Sequence, residues 1–224
     1  MKKVCVMLLS LVAGWASAQA QVALKSEGLD SSYVQTIVGR SQKIVDGLGL
    51  ADAAKAEAVR NIIANRYFLL NEIHSVCEER LKYAKDSVEG RGRRERIVQA
   101  AERRRDAELY KHHFELQTAL SAYLTDQQIE AVKDGFTYGR VQRDYNAQLE
   151  MIPSLTDEEK AQILAWLKEA REFAMDAADS KAKHAWFDKY RGRTNNWLSA
   201  RGYDLKKERE QWQQRIEQQK AKQK

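Results

Sequence analysis

Apolar residues recur every three or four positions through most of this chain, and a single proline, Pro153, interrupts the pattern. Proline breaks helices and glycine weakens them, so a chain with 1 proline and 11 glycines among 224 residues is suited to long helices. Charged residues make up 31%, a proportion typical of helices with solvated outer faces. The sequence therefore predicts an all-α fold.

The first residues are predicted to be a secretory signal peptide, residues 1–20, outside the fold. Lys2 and Lys3 form a positive start, an apolar run follows at residues 4–15, and Ala16–Ala18 supplies small-residue cleavage sites. This run is too short for a membrane span. We therefore expect a periplasmic or secreted protein with no transmembrane segment after cleavage.

Cleavage would remove Cys5 and leave Cys77 as the one cysteine of the mature chain, which excludes an internal disulfide. Cys77 lies on the apolar face of a helical pattern, so a buried small hydrophobe is favoured over a reactive thiol.

Loss of Lys2 and Lys3 lowers the formal net charge from +6 to +4. An excess this small does not indicate a nucleic-acid partner.

The N-terminal half of the mature chain reads as long helices. The first is predicted at about Ser32–Asp46, and Asp52 caps a second that runs to about Lys85. After a polar, glycine-containing break, a third apolar pattern reaches Leu124. Two long helices with a short break predict an antiparallel hairpin. Mixed charges at residues 91–108 favour a solvated face, with a basic binding surface as the alternative.

Shorter helices are predicted in the C-terminal half. Thr125 and Thr156 each stand where a helix begins, with Gln128 and Glu159 three residues later, which is the capping-box pattern. Between these starts, residues 133–154 are predicted to form one irregular aromatic loop. Such a loop is either a binding element or a structural connector.

The segment Ala174–Tyr203 is unusually dense in aromatic and polar residues. A helix is expected from Ser180 to about Leu198, unless Gly192 breaks it. We predict a single helical domain at residues 21–205, followed by a charged helical tail at 206–224 that is solvated and frays.

The aromatic loop and this segment supply the candidate ligand-binding residues. Flat aromatic faces suit the apolar side of a sugar ring, while carboxylate, amide, guanidinium and imidazole groups suit its hydroxyls or carboxylates. The alternative is that the aromatic residues are core and the polar ones satisfy helix ends. The candidates are Tyr138, Arg140, Tyr145, Asp176, His184, Trp186, Tyr190, Arg191, Arg193, Asn195 and Asn196.

No reaction is indicated by the motifs. The four histidines have no metal-ligand spacing, and we expect no metal and no cofactor. A glycine-flanked serine elbow and a glycine-rich phosphate loop are both missing. Two carboxylates for glycoside hydrolysis could be found among so many acids, so a hydrolase is a third hypothesis without assigned catalytic residues.

Three runs carry a resemblance to a known family: AVKDGFTYGRVQRDY, MIPSLTDEEKAQILAWLKEAREFAMDA and SKAKHAWFDKYRGRTNNWLSARGYDL. They resemble the exported domain of unknown function 3826, found in Gram-negative polysaccharide-degrading bacteria, and the likeness extends upstream to KIVDGLGLADAAKAEAV. The resemblance implies an exported helical protein from a lineage rich in glycan-utilisation loci. It implies no established reaction, so no residue inherits a catalytic role.

A fainter similarity links Leu124–Gln128 to periplasmic helical proteins with a Leu-Thr-x-x-Gln motif, among them chaperones and stress sensors. Two hypotheses follow. The first is an exported protein that binds or processes an oligosaccharide in polysaccharide utilisation. The alternative is a non-enzymatic periplasmic module that holds a protein partner on its helical hairpin.

Overall fold

The structure, a computed structural model, describes residues 22–222, which contain nine α-helices and no strand. The all-α prediction is confirmed. None of the helices in this part of the chain combines the length and hydrophobicity needed to cross a membrane. In chain order the helices are α1 (Ser31–Asp46), α2 (Ala53–Ser87), α3 (Arg91–His112), α4 (Glu115–Ser121), α5 (Asp126–Phe136), α6 (Arg140–Met151), α7 (Asp157–Met175), α8 (Ser180–Ala200) and α9 (Leu205–Lys222). The predicted signal peptide lies outside the described residues.

Two apolar cores organise the fold. The first is built by α1, α2, α4 and α5 and buries Ile63 and Phe136 completely. The second is built by α6, α7 and α8, with α9 against its side, and buries Ile163 and Phe187. Burial of each such side chain contributes about 1.5–3 kcal/mol, so each core is a separate source of stability.

A polar seam joins the two cores. Arg66 of α2 donates a 2.5 Å hydrogen bond to Asp176, the residue that ends α7. Arg171 of α7 donates to Asp134 of α5 at 2.7 Å. The Lys183 ammonium of α8 donates to the carbonyl of Phe136 at 2.9 Å. Directional, charge-assisted bonds therefore set how the two halves of the fold meet.

The predicted third helix is two helices. α3 ends at His112 and α4 begins at Glu115, so the apolar pattern that reaches Leu124 changes direction at residues 113–114. The break has a tertiary reason, because it lets α4 place Leu116 and Leu120 in the first core. Upstream of the break, α3 packs along α2.

The predicted irregular loop at residues 133–154 is wrong for most of its length. α5 continues to Phe136 and α6 occupies residues 140–151, so the turn between them is three residues long. Gly139 does lie in the turn, as the N-cap of α6 with φ at 65°, but Gly135 lies inside α5. Gly135 is needed for close approach, since a Cβ there would lie 2.9 Å from two carbons of Ile44 in α1.

The C-terminal helices agree with expectation in part. α8 begins at Ser180, as predicted, and passes through Gly192 without a break; its N-cap is Asp179. The predicted solvated tail is helix α9, which packs on α6. Trp212 joins the second core and holds this charged helix in place.

Candidate ligand-binding site

A pocket of about 250 Å³ lies between α6, α7, α8 and α9, and we call it the α6–α8–α9 pocket. Its lining divides into an apolar part and a polar part. The apolar lining is Ala147, Met151, Ile163, Leu167 and Trp212, and the polar lining is Asp144, Gln148, Arg191, Thr194, Asn195 and Arg209. Two of the predicted site residues, Arg191 and Asn195, are therefore brought together here.

Helical spacing places the polar groups. Arg191 and Asn195 are four residues apart on α8, and Asp144 and Gln148 are four apart on α6. Side chains at this spacing lie on one helix face, one above the other. Two facing helices therefore present two polar pairs to the same cavity.

The C-terminal helix supplies the third wall. The Arg215 guanidinium donates to the carbonyls of Glu150 and Met151 at 2.8 and 3.1 Å, which satisfies the exposed carbonyl end of α6. This anchor, together with Trp212 in the second core, places Arg209 and Trp212 on the pocket. Sequence reasoning missed both residues. The signal for them was an isolated tryptophan in an otherwise charged tail.

Several polar groups of the pocket have no intramolecular partner. The Gln148 Nε2 atom is buried and has no hydrogen-bond acceptor within the described part of the chain. Asn195 and Arg209 likewise have no side-chain hydrogen bond to any residue in 22–222. A buried donor left without an acceptor costs about 1–3 kcal/mol. These groups are therefore free to bind a ligand that carries acceptors.

The charges around the pocket are partly paired. Arg140, a predicted site residue, donates to Asp144 at 2.8 Å and to Asp188 at 3.3 Å. Arg191 also reaches Asp188, at 3.2 Å, in a solvent-exposed pair. Arg209 has no such carboxylate among the described residues. Among the lining residues, more positive than negative charge is therefore available to a ligand. Tyr145 lies nearby, half-buried against the second core.

A second cluster lies on the other flank of α8, and we call it the aromatic–cation face. It contains the predicted site residues Trp186, Tyr190 and Arg193. Its members follow helical spacing on α7 and α8 and alternate rings with cations. They are Trp166, Phe173, Trp186, Lys189, Tyr190, Arg193, Trp197 and Arg201. The other members were not predicted as site residues, and Phe173 and Trp166 come from α7, outside the segment Ala174–Tyr203.

The rings of this face are largely engaged with one another. Phe173 stacks on Trp186 with centroids 4.6 Å apart, and Lys189 covers Trp186 at 4.8 Å. Tyr190 is buried, and its burial together with a hydrogen bond to Glu169 raises its pKa to about 12. Tyr190 is therefore part of the core, which was the alternative to a ligand-binding role. Phe173 remains 46% exposed.

Asp176 is not an open ligand-binding group. It is buried, and its two carboxylate oxygens accept hydrogen bonds from Arg66 at 2.5 Å and from His113 at 2.7 Å. Its carbonyl accepts from His74 Nε2 at 2.8 Å. The expectation for Asp176 is therefore corrected, because the polar seam uses all of its acceptors. His74 and His113 are thereby both hydrogen-bonded to Asp176.

Three further candidates stay apart from both clusters. His184 and Asn196 are exposed on α8 and converge with no other candidate. Tyr138 is 52% exposed and has a left-handed backbone, with φ at 59°. Its ring lies 5.9 Å from the Lys183 ammonium, which also lies over the rings of Tyr67 and Phe136. Tyr138 therefore belongs to the surroundings of a buried lysine.

A groove of about 480 Å³ runs between α2 and α3. Its lining includes the apolar residues Ile73, Val76, Cys77 and Ile97, with arginine and glutamate side chains around them. Cys77 is buried and free, which confirms its prediction as a small hydrophobe.

In residues 22–222, no group of three or more His, Cys, Asp or Glu side chains is arranged to hold a metal ion.

Comparison with known sequences gives one family. The model of a family described as a protein of unknown function (DUF3826) matches residues 34–218, which extend from α1 into α9. No curated protein sequence matches the chain.

Proposed function

The chain belongs to the DUF3826 family, and we propose that it is an exported protein that binds an oligosaccharide in the α6–α8–α9 pocket during polysaccharide utilisation. Export and polysaccharide use rest on the signal-peptide pattern and on what the family resemblance implies. The pocket supports the binding step. No reaction is proposed, because the pocket brings no general acid and base together.

One observation carries the proposal. Amide and guanidinium groups without intramolecular partners, from Gln148, Asn195 and Arg209, surround an apolar floor to which Trp212 contributes. A sugar ring needs this combination, because it has an apolar face and a rim of hydroxyls. The volume of about 250 Å³ is below the range of drug-sized sites, so it suits one ring with the rest of the oligosaccharide outside.

Calorimetry against a panel of acidic and neutral oligosaccharides tests the proposal, and neighbouring asparagines provide a matched pair of variants. Asn195 lines the pocket, whereas Asn196 is exposed outside it. Asn195→Ala should weaken binding by about tenfold, the equivalent of 1.4 kcal/mol, and Asn196→Ala should leave it unchanged. Absence of binding to every saccharide, or equal effects of the two substitutions, would contradict the proposal.

The α2–α3 groove favours a second candidate function, in which the hairpin holds a protein partner. The supporting observation is exposed apolar surface on the hairpin and at its base, with Val76 42%, Tyr110 75% and Phe114 63% exposed. An apolar groove with exposed apolar side chains near it is a surface that a protein partner can cover.

Suppression of the aggregation of an unfolded client, at equimolar protein, tests this function. Val76→Glu should abolish the suppression, while Asn195→Ala should not affect it. A protein that fails to suppress aggregation at all would rule the function out.

A further inference from the structure

Two arginines of the α6–α8–α9 pocket come from different helices. Arg191 is on α8 and Arg209 on α9, and both line the cavity. The one carboxylate of the lining, Asp144, is already bonded to Arg140 at 2.8 Å and to Arg143 at 3.5 Å. The lining therefore offers two guanidinium groups to a ligand but no free carboxylate.

These guanidinium groups are available at little cost. Arg209 has no hydrogen-bond or ion-pair partner within the described residues, and Arg191 makes a single exposed pair with Asp188 at 3.2 Å. Exposed pairs contribute little to stability, so this one is readily exchanged for a ligand anion. Guanidinium binds carboxylate and phosphate groups in the same two-pronged way, so the arginines by themselves indicate an anion.

The apolar part of the lining distinguishes a sugar carboxylate from inorganic phosphate. Inorganic phosphate has no apolar surface, but the floor of the pocket is Met151, Ile163, Leu167 and Trp212. A ligand that covers this floor and also accepts hydrogen bonds from Gln148 and Asn195 needs an apolar face, hydroxyl groups and a negative charge. A sugar acid has all three.

We infer that the α6–α8–α9 pocket selects an acidic sugar residue whose carboxylate is held by Arg191 and Arg209. The inference rests on the proposed function and names its ligand class. It also assigns α9 a role, because this helix brings Arg209 and Trp212 to the site. The anchor from Arg215 to the end of α6 is then part of the construction of the pocket.

The test compares two ligands that differ only at one carbon, the methyl glycosides of glucuronic acid and of glucose, with inorganic phosphate as a third probe. Calorimetry on the full mature chain should show the acid binding at least tenfold more tightly than the neutral sugar. Arg209→Met and Arg191→Met should each lower the affinity for the acid about tenfold and leave the affinity for the neutral sugar unchanged. Both residues are exposed, so folding of the variants is expected and is checked by circular dichroism.

Arg91→Met is the matched control, since Arg91 is 92% exposed on α3, far along the chain from the pocket, and should not change binding. Equal affinity for the acid and the neutral sugar would overturn the inference while the proposed function stands. Phosphate that binds as tightly as the acid would also overturn it, because the site would then recognise an anion without a sugar. Absence of binding by all three probes, together with no binding in the oligosaccharide panel, would overturn the proposed function as well.

Discussion

Arg66 and Asp176 are joined by a 2.5 Å hydrogen bond across 110 residues of chain. Arg66 also donates to the carbonyl of His112, where α3 ends, and Asp176 accepts from His113 and His74. A single carboxylate thus ties α2 and the α3–α4 break to the end of α7. The three contacts explain why a charged residue is buried between two apolar cores.

Removal of this carboxylate should be strongly destabilising. Asp176→Ala would leave Arg66 buried without its counter-charge, which costs about 3–5 kcal/mol. Glu95→Ala, which breaks the exposed pair of Arg91 and Glu95, should cost about 0–1 kcal/mol. Urea denaturation measures both, and similar losses in the two variants would show that the seam does not stabilise the fold.

Lys183 should make stability depend on pH. Burial, with the nearby charge of Arg40, lowers the pKa of Lys183 from 10.5 to about 8. Below pH 8 the folded and unfolded states are both protonated. Between pH 8 and 10.5 the folded state releases its proton first, so the free energy of unfolding should rise with pH.

The variant Lys183→Met isolates this contribution. From pH 8 to 10 the wild-type protein should gain about 2–3 kcal/mol relative to the variant, at 1.36 kcal/mol per pH unit. The measurement stops at pH 10 because burial raises the pKa of Tyr67, and the unfolded tyrosine would ionise first above that pH and reverse the trend. Parallel pH profiles of the two proteins would contradict the prediction.

Two glycines offer opposite outcomes for the same substitution. Gly135→Ala puts a methyl group 2.9 Å from Ile44 carbons, and such overpacking costs about 1–3 kcal/mol. Gly192→Ala meets nothing within 4 Å inside α8 and should stabilise by up to about 1 kcal/mol, because alanine is the better helix former. Thermal unfolding distinguishes them, and a stabilised Gly135→Ala would show that α1 can move away from α5.

The capping boxes should contribute measurably. Both are formed, with Thr125 and Thr156 accepting from the backbone of Gln128 and Glu159. Thr156→Ala should lower stability by about 1 kcal/mol. Thr36→Ala, in the exposed middle of α1, should be neutral or slightly stabilising. No difference between the two in denaturant titrations would mean that solvent replaces the cap.

Local rules account for what could be predicted of the fold. The N-caps at Asp52, Thr125 and Thr156 are formed, and α1 begins one residue from its predicted start. Each depends on side chains within four residues of one another, so sequence spacing contains the information. The prediction of an irregular loop at residues 133–154 failed, because Gly135 lies within α5 and residues 140–151 form α6. Gly135 admits Ile44 from another helix, which no local pattern shows.

The candidate site was predictable only in part. Arg191 and Asn195 were named because they share a helix with many aromatic residues, and the pocket does include them. Gln148, Arg209 and Trp212 were missed, since they become neighbours only when α6 and α9 pack beside α8. Asp176 was misplaced for a related reason, as its partners Arg66 and His113 lie far away in sequence.

The sequence by itself determined that this chain is helical and where most of its helices begin, and it supplied a set of candidate residues for recognition of a polar ligand. The tertiary structure decided which of those residues are free to do so. It assigned Asp176 and Tyr190 to the interior and placed Arg191 and Asn195 beside side chains from two other helices. The physical reason is that helix formation depends on interactions within a few residues, whereas a binding site depends on which groups remain without partners after packing.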